Sequence, residues 1–166
     1  MIFDDDNQLE QEFFYGYFLP MIEASGEKCI FFHCTCEDSL YNYIQKQKDI
    51  DVITDNGSRN ISYSLKTVRQ RYSKIFIETI SNMTKNTPGW GIYSEAQYIV
   101  YTMGFPDDVL SYRFSSVAMK ELILDGYHRG YGETRTRDGR LLYKTEGALV
   151  PPNDIRGLVT KQLGDR

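Results

Sequence analysis

The chain has 166 residues, with 23 Asp and Glu against 19 Lys and Arg, a formal charge of −4, and 41% hydrophobic and 14% aromatic side chains. That length suits one ordinary domain, and that composition can bury a core, which excludes a disordered chain. The apolar runs fall far short of the ~20 residues that cross a bilayer, and the start MIFDDDNQ lacks the basic-then-apolar order of a secretion signal. No membrane partner and a cytoplasmic location are therefore expected. At face value the acidic total also argues against a polyanion.

The total hides an asymmetry. Residues 1–60 hold 12 acids and 4 bases, a net of −8, whereas residues 61–166 carry a net of +4. A basic strip at 59–85, with Arg59, Lys66, Arg69, Arg71, Lys74 and Lys85 around the single acid Glu78, is the sharpest contrast. Such a strip is either a solvated face or a phosphate-binding one.

No repeat or Pro/Ser-rich linker divides the chain, so one domain is expected over 1–166, with a core at about 7–125 and a C-terminal extension at 126–166. In chain order, the spacing of Leu9, Phe13, Phe14, Tyr17 and Met21 predicts a helix over 7–25, with Asn7 as cap, Pro20 as a kink or break and Gly26 as stop. KCIFFHC (28–34) reads as a buried strand, and 37–48 as a helix capped near Asp38 or Ser39. Three strands follow at 49–54, 60–68 and 74–81, the first two joined by a hairpin at Asn56-Gly57. Alternation in the second places Ile61, Tyr63 and Leu65 on one face and Ser62, Ser64 and Lys66 on the other. NTPGWG (86–91) is a turn, and AQYIVYTM (96–103) has the unbroken apolar character of a central strand. The apolar residues of 107–125 predict a helix. A Gly- and Arg-rich stretch (127–140), a short strand and a PPND turn capping a last helix complete the chain. The expected fold class is α/β, a mixed central sheet flanked by helices.

Asp51, Lys66 and Glu78 stand one on each of three successive strands. Neighbouring strands lie ~4.8 Å apart, so these side chains can converge if the registers agree. Two close carboxylates repel unless a cation separates them. Mg²⁺ or Mn²⁺, with its preference for oxygen ligands, suits that position and phosphodiester hydrolysis. The same spacing also fits a turn acid beside a plain Lys66–Glu78 ion pair.

At these residues the sequence resembles phage and bacterial members of the PD-(D/E)XK nuclease superfamily. The likeness runs through QKDIDVIT, YSLK, KIFIETIS, PGW and AQYIVYTM, about residues 45–103. It implies a restriction-endonuclease-like αβββαβ core, metal-dependent cleavage of single-stranded, duplex or branched DNA, and dimers in many members. Asp51 matches the metal-binding aspartate, Lys66 the motif lysine and Gln47 a glutamine frequent before the aspartate strand. Ser64 departs from the pattern, because it stands where the acid of the (D/E)-x-K pair belongs and a hydroxyl is only a weak neutral ligand. Glu78 is the candidate to replace it, which makes Asp51 and Glu78 the expected metal ligands. Glu10, Glu12 or Glu23 of the first helix are further candidates, as in some relatives.

Arg69, Arg71 and Lys74 are the expected phosphate contacts, and Arg129, Arg135, Arg137 and Arg140 extend that surface or form a solvated loop. Trp90 either stacks on a base or plugs the sheet edge. Cys29, His33, Cys34 and Cys36 lack the second cysteine pair of a structural zinc site, and strand alternation separates Cys29 and His33 from Cys34 and Cys36, so no zinc is expected. Phosphate-loop, dinucleotide and serine-hydrolase motifs do not occur. Two other classes stay open: a non-catalytic nucleic-acid-binding or protein-interaction module on the same fold, favoured by Ser64, and an acidic protein that binds a basic partner.

Overall fold

The computed structural model of the chain describes residues 3–35 and 39–163. The N-terminal segment is helical, as its apolar spacing predicts, and begins before Asn7. α1 (Phe3–Phe13) runs through a π-helical turn (Phe14–Phe18) into α2 (Leu19–Ala24). The wider turn changes the helical phase, so that consecutive Phe13 and Phe14, and then Phe18, all reach the core. Phe14 stacks on Phe32 with centroids 3.8 Å apart, and Phe18 meets Tyr63 edge-on at 5.2 Å. Pro20 falls in the first turn of α2, where an N–H is dispensable.

β1 (Lys28–Phe32), α3 (Ser39–Lys48), β2 (Val52–Asp55) and β3 (Asn60–Val68) follow the expected order. Gly57, at φ 88°, makes the turn between β2 and β3 that the Asn-Gly pair predicts. A cap at Asp38 or Ser39 and the side chain of Cys36 lie outside the described residues. Then come β4 (Ile75–Asn82), β5 (Thr87–Pro88), α4 (Trp90–Tyr93), β6 (Tyr98–Met103), β7 (Val109–Ser115), α5 (Ser116–Lys120), β8 (His128–Arg135), β9 (Leu141–Val150) and β10 (Val159–Leu163). The chain is thus mixed α/β, rich in strand and with few helices.

Two sheets result. The first has the order β1-β2-β3-β6-β7-β10, antiparallel throughout except for the parallel pair β3–β6; the second, β5-β4-β9-β8, is entirely antiparallel. β6 lies inside the first sheet and is buried on both faces, which explains its apolar run. Val100 packs toward the α1–α2 layer with Phe13 and Leu65, while Ile99, Tyr101 and Met103 pack toward the second sheet with Ile75 and Ile77. The flanking layers are therefore unlike: long helices cover one face and a second sheet covers the other.

Several expectations need correction. The helix expected within 107–125 is only the five-residue α5, and β7 precedes it. Both faces of β7 pack against core, through Val109 on one side and Tyr112 and Phe114 on the other, which removes the two-residue period a strand usually shows. The Gly- and Arg-rich stretch is β8, and the segment after PPND is a 3₁₀ turn and β10 rather than a helix. Residues beyond 126 thus supply two strands to the second sheet and the last strand of the first.

Phe18 is fully buried whereas Ile123, expected on an apolar helix face, is 82% exposed. Phe18→Ala is expected to cost about 3–5 kcal/mol of unfolding free energy. Ile123→Ala is expected to change it by less than about 0.5 kcal/mol. Urea denaturation measures both, and comparable losses at the two positions would contradict this packing.

Candidate functional site

α3 ends at Lys48, and Asp49 takes the left-handed conformation, φ 54°, that commonly terminates a helix; its N–H still donates to the Gln45 carbonyl at 3.0 Å. A non-glycine residue held there carries local backbone strain. The turn feeds the chain into β2 with Asp51 wedged between strands. Its N–H donates to the Tyr63 carbonyl (2.9 Å) and its carbonyl accepts from the His33 N–H (3.0 Å).

This geometry buries two aspartates, each 2% exposed, against β3. The Ser64 hydroxyl reaches Asp49 Oδ2 at 2.7 Å and Asp51 Oδ2 at 3.3 Å; its single proton donates to one at a time. The Leu65 N–H donates to Asp51 Oδ2 at 2.7 Å. Lys66 Nζ donates to Asp49 Oδ1 at 2.5 Å. Burial pushes both aspartates above the ordinary carboxylate range, and each charge feels an acidic neighbour, Asp51 for Asp49 and Glu10 for Asp51, while Lys66 pulls both back down. Burial would by itself lower the Lys66 pKa, but Asp49 and Asp51 outweigh it and hold the ammonium charged.

Glu78 reaches this cluster from the other sheet. β4 lies in the second sheet, so Asp51, Lys66 and Glu78 do not occupy three neighbouring strands of one sheet, as the sequence order suggests. Glu78 faces Lys66 across a cleft of about 900 Å³ between the sheets, lined also by Asp49, Lys74, Thr67 and Trp90. Burial raises its carboxyl from 4.5 to about 7, against the opposing pull of Lys66 and of a backbone bond at Trp90. No hydrogen bond among the described residues joins Glu78 to Asp51, whose side chain lies behind Asp49 and Lys66.

The turn containing Trp90 presses on the Glu78 backbone. A Cβ at Gly89 would lie 2.5 Å from the Glu78 carbonyl oxygen, and one at Gly91 would lie 2.4 Å from the Ile77 side chain. Only glycine permits that approach, which sets the Trp90 ring 5.6 Å from Lys66 Nζ. Trp90 is 7% exposed, so it walls the cleft. Thr67 Oγ1, also in the cleft wall, is buried with no hydrogen-bond partner among the described residues.

The remaining sequence candidates separate. Lys74 lines the cleft, Arg69 is exposed, and Arg71 is paired with Asp108. Arg129 and Arg135 pair with Glu146 and Glu133 on the β8–β9 hairpin, whereas Arg137 and Arg140 are exposed at its tip. Gln47 is exposed; Gln45, two residues earlier on α3, reaches Asp51 Oδ1 at 3.4 Å. Of the helix glutamates, Glu10 arrives at the cluster, with His33 Nε2 2.9 Å from its carboxylate and 3.7 Å from Asp51 Oδ1, while Glu12 bonds Gln8 on the surface and Glu23 is exposed. Asp49 and Gln45 belong to the site but were not singled out from the sequence. The Asp-x-Asp spacing at 49–51 is the signal that could have marked Asp49.

Searches of protein-family models, curated proteins and solved structures return no match to this chain.

The raised Glu78 pKa has a consequence for stability. Between pH 4.5 and 7 the folded state retains a proton that the unfolded state has lost, so this group's contribution to stability falls as pH rises through that window. In metal-free buffer, the stability difference between wild type and Glu78→Gln should therefore decline from pH 4.5 to 7 and flatten above it. Urea titrations across that range measure the difference, and a rising curve would refute the assignment.

Proposed function

We propose that the chain is a divalent-cation-dependent nuclease that hydrolyses phosphodiester bonds of single-stranded DNA in the cleft between its two sheets. The observation that carries this reading is the grouping of Asp49, Lys66 and Glu78 around one cleft, with Asp51 buried directly behind. The order β1-β2-β3-β6, with its single parallel step, supports the resemblance to the PD-(D/E)XK superfamily, although here the crossover between β3 and β6 carries β4 rather than a long helix.

The residues present fit Mg²⁺ or Mn²⁺. Asp49 and Glu78 offer hard oxygen ligands, and desolvation raises both toward protonation unless a cation arrives. In this reading they are the cleft-facing ligands, and Asp51, the aspartate singled out by the resemblance, supports the cluster through its bonds to Leu65 and Ser64. The bound cation supplies an acidified water and charge neutralisation at the phosphate. Lys66, held charged, serves as a cation beside the scissile phosphate and positions the attacking water rather than deprotonating it. Lys74 attracts the backbone, and Tyr72 and Trp90 provide stacking surfaces at the wall, which a single strand uses better than a stacked duplex. Thr67 Oγ1 supplies a hydrogen-bonding group that no atom of the described residues satisfies.

A second reading has one specific observation in its favour. Asp49, Lys66 and Ser64 satisfy one another without a cation, as expected of a non-catalytic nucleic-acid-binding module on this fold.

With Mn²⁺, purified protein is expected to cut single-stranded DNA. Asp49→Asn, Lys66→Met and Glu78→Gln should each lower the rate by about 10²-fold or more. Binding without cleavage in Mg²⁺ and Mn²⁺ would select the second reading, and neither binding nor cleavage would exclude both.

A further inference from the structure

Beside Asp51 lies a second set of donors, of which Glu10 also lines the cleft. β1 ends at Phe32, and a 3₁₀ turn over His33–Thr35 replaces the alternation of the strand. The tighter turn brings the adjacent His33 and Cys34 side chains to one side, with Cys34 Sγ 3.3 Å from His33 Nε2. Glu10 Oε1 approaches the same nitrogen from α1 at 2.9 Å, and Asp51 Oδ1 approaches from the start of β2 at 3.7 Å. The ligand atoms of Glu10, His33 and Cys34 all lie within 4.8 Å of one another.

We infer that Glu10, His33 and Cys34 hold zinc, with water as the fourth ligand, at a site beside the cation site of the cleft. Zinc bonds of about 2.0–2.3 Å to oxygen, nitrogen and sulfur place neighbouring tetrahedral ligand atoms roughly 3.3–3.6 Å apart. Glu10 Oε1 and Cys34 Sγ, 2.9 and 3.3 Å from His33 Nε2, lie just below and at the edge of that range. A thiolate and an imidazole select a borderline-soft ion over Mg²⁺. On binding, zinc replaces the proton of His33 Nε2 and the thiol proton of Cys34, and both protons pass to solvent.

Water completes the coordination of three protein ligands. Those ligands come from α1 and from the turn after the edge strand β1. Zinc there fastens the N-terminal helix to the sheet edge. Asp51 Oδ1 stands 3.7 Å from His33 Nε2, while Oδ2 keeps its bonds to Leu65 and Ser64.

Cobalt(II) and zinc(II) themselves are the probes. Metal-free protein titrated with Co²⁺ should develop the intense visible bands of tetrahedral cobalt and a near-ultraviolet thiolate-to-cobalt band at one ion per chain. Zn²⁺ should abolish both and excess Mg²⁺ neither, and Zn²⁺ should raise the melting temperature. Cys34→Ser should remove the thiolate band, whereas Glu78→Gln, which alters only the cleft, should leave the spectrum intact. Should Cys34→Ser fail to fold, Zn²⁺ is expected to slow alkylation of Cys34 in wild type at least tenfold by peptide mass spectrometry. Weak octahedral absorbance alone, a thiolate band that survives Cys34→Ser by using Cys29 or Cys36, or an unchanged alkylation rate at Cys34 would each overturn the assignment. None of these readouts requires the protein to cut DNA, so failure of the nuclease reading leaves them interpretable.

Discussion

β3 and β6 run side by side in the same direction, and a parallel pair cannot be closed by a tight turn. The chain must leave the end of β3 near Val68 and return to the start of β6 near Tyr98. A helix usually fills such a connection. Here it contains β4, which pairs with β9 and becomes part of a second sheet laid over the first. The cleft exists because of that connection. It brings Glu78, from the crossover, opposite Lys66, from the strand that the crossover leaves.

The charges in the cleft are costly by themselves. Two aspartates are almost wholly buried, and isolated ions in such a position are strongly disfavoured. Lys66, Ser64 and the Leu65 N–H offset much of that cost, and the offset is local to β3. Glu78 makes no ion pair among the described residues, and burial raises its pKa. Ser64 is the residue on which the arrangement turns. A carboxylate in its place would add a third negative charge beside Asp49 and Asp51, which already outnumber Lys66. With a neutral residue at position 64, Asp49 is the acid that Lys66 meets.

Where a segment is buried on one face, its period was legible. Ile61, Tyr63 and Leu65 alternate as expected along β3, and Ile75 and Ile77 share the inner face of β4. Legibility failed where burial is two-sided or where a turn breaks the period. β7 packs on both faces and its apolar residues imitate helical spacing. The 3₁₀ turn after Phe32 puts His33 and Cys34 on one side, although alternation in an extended strand would separate them. Gln45 replaced Gln47 as the partner of Asp51 for a similar reason: which helix residue points inward depends on how α3 packs, and two residues along a helix is more than half a turn.

From the residues alone came the mixed α/β class, the β2–β3 hairpin and the apolar central strand. These follow from local rules, namely side-chain periodicity and turn chemistry. Only the tertiary structure decided that β4 leaves the first sheet, that Asp49 rather than Asp51 faces the cleft beside Glu78, and that Glu10 meets His33 and Cys34. Each of those depends on contacts between residues tens of positions apart. Such pairings are selected by the packing of whole layers, and no local pattern encodes them.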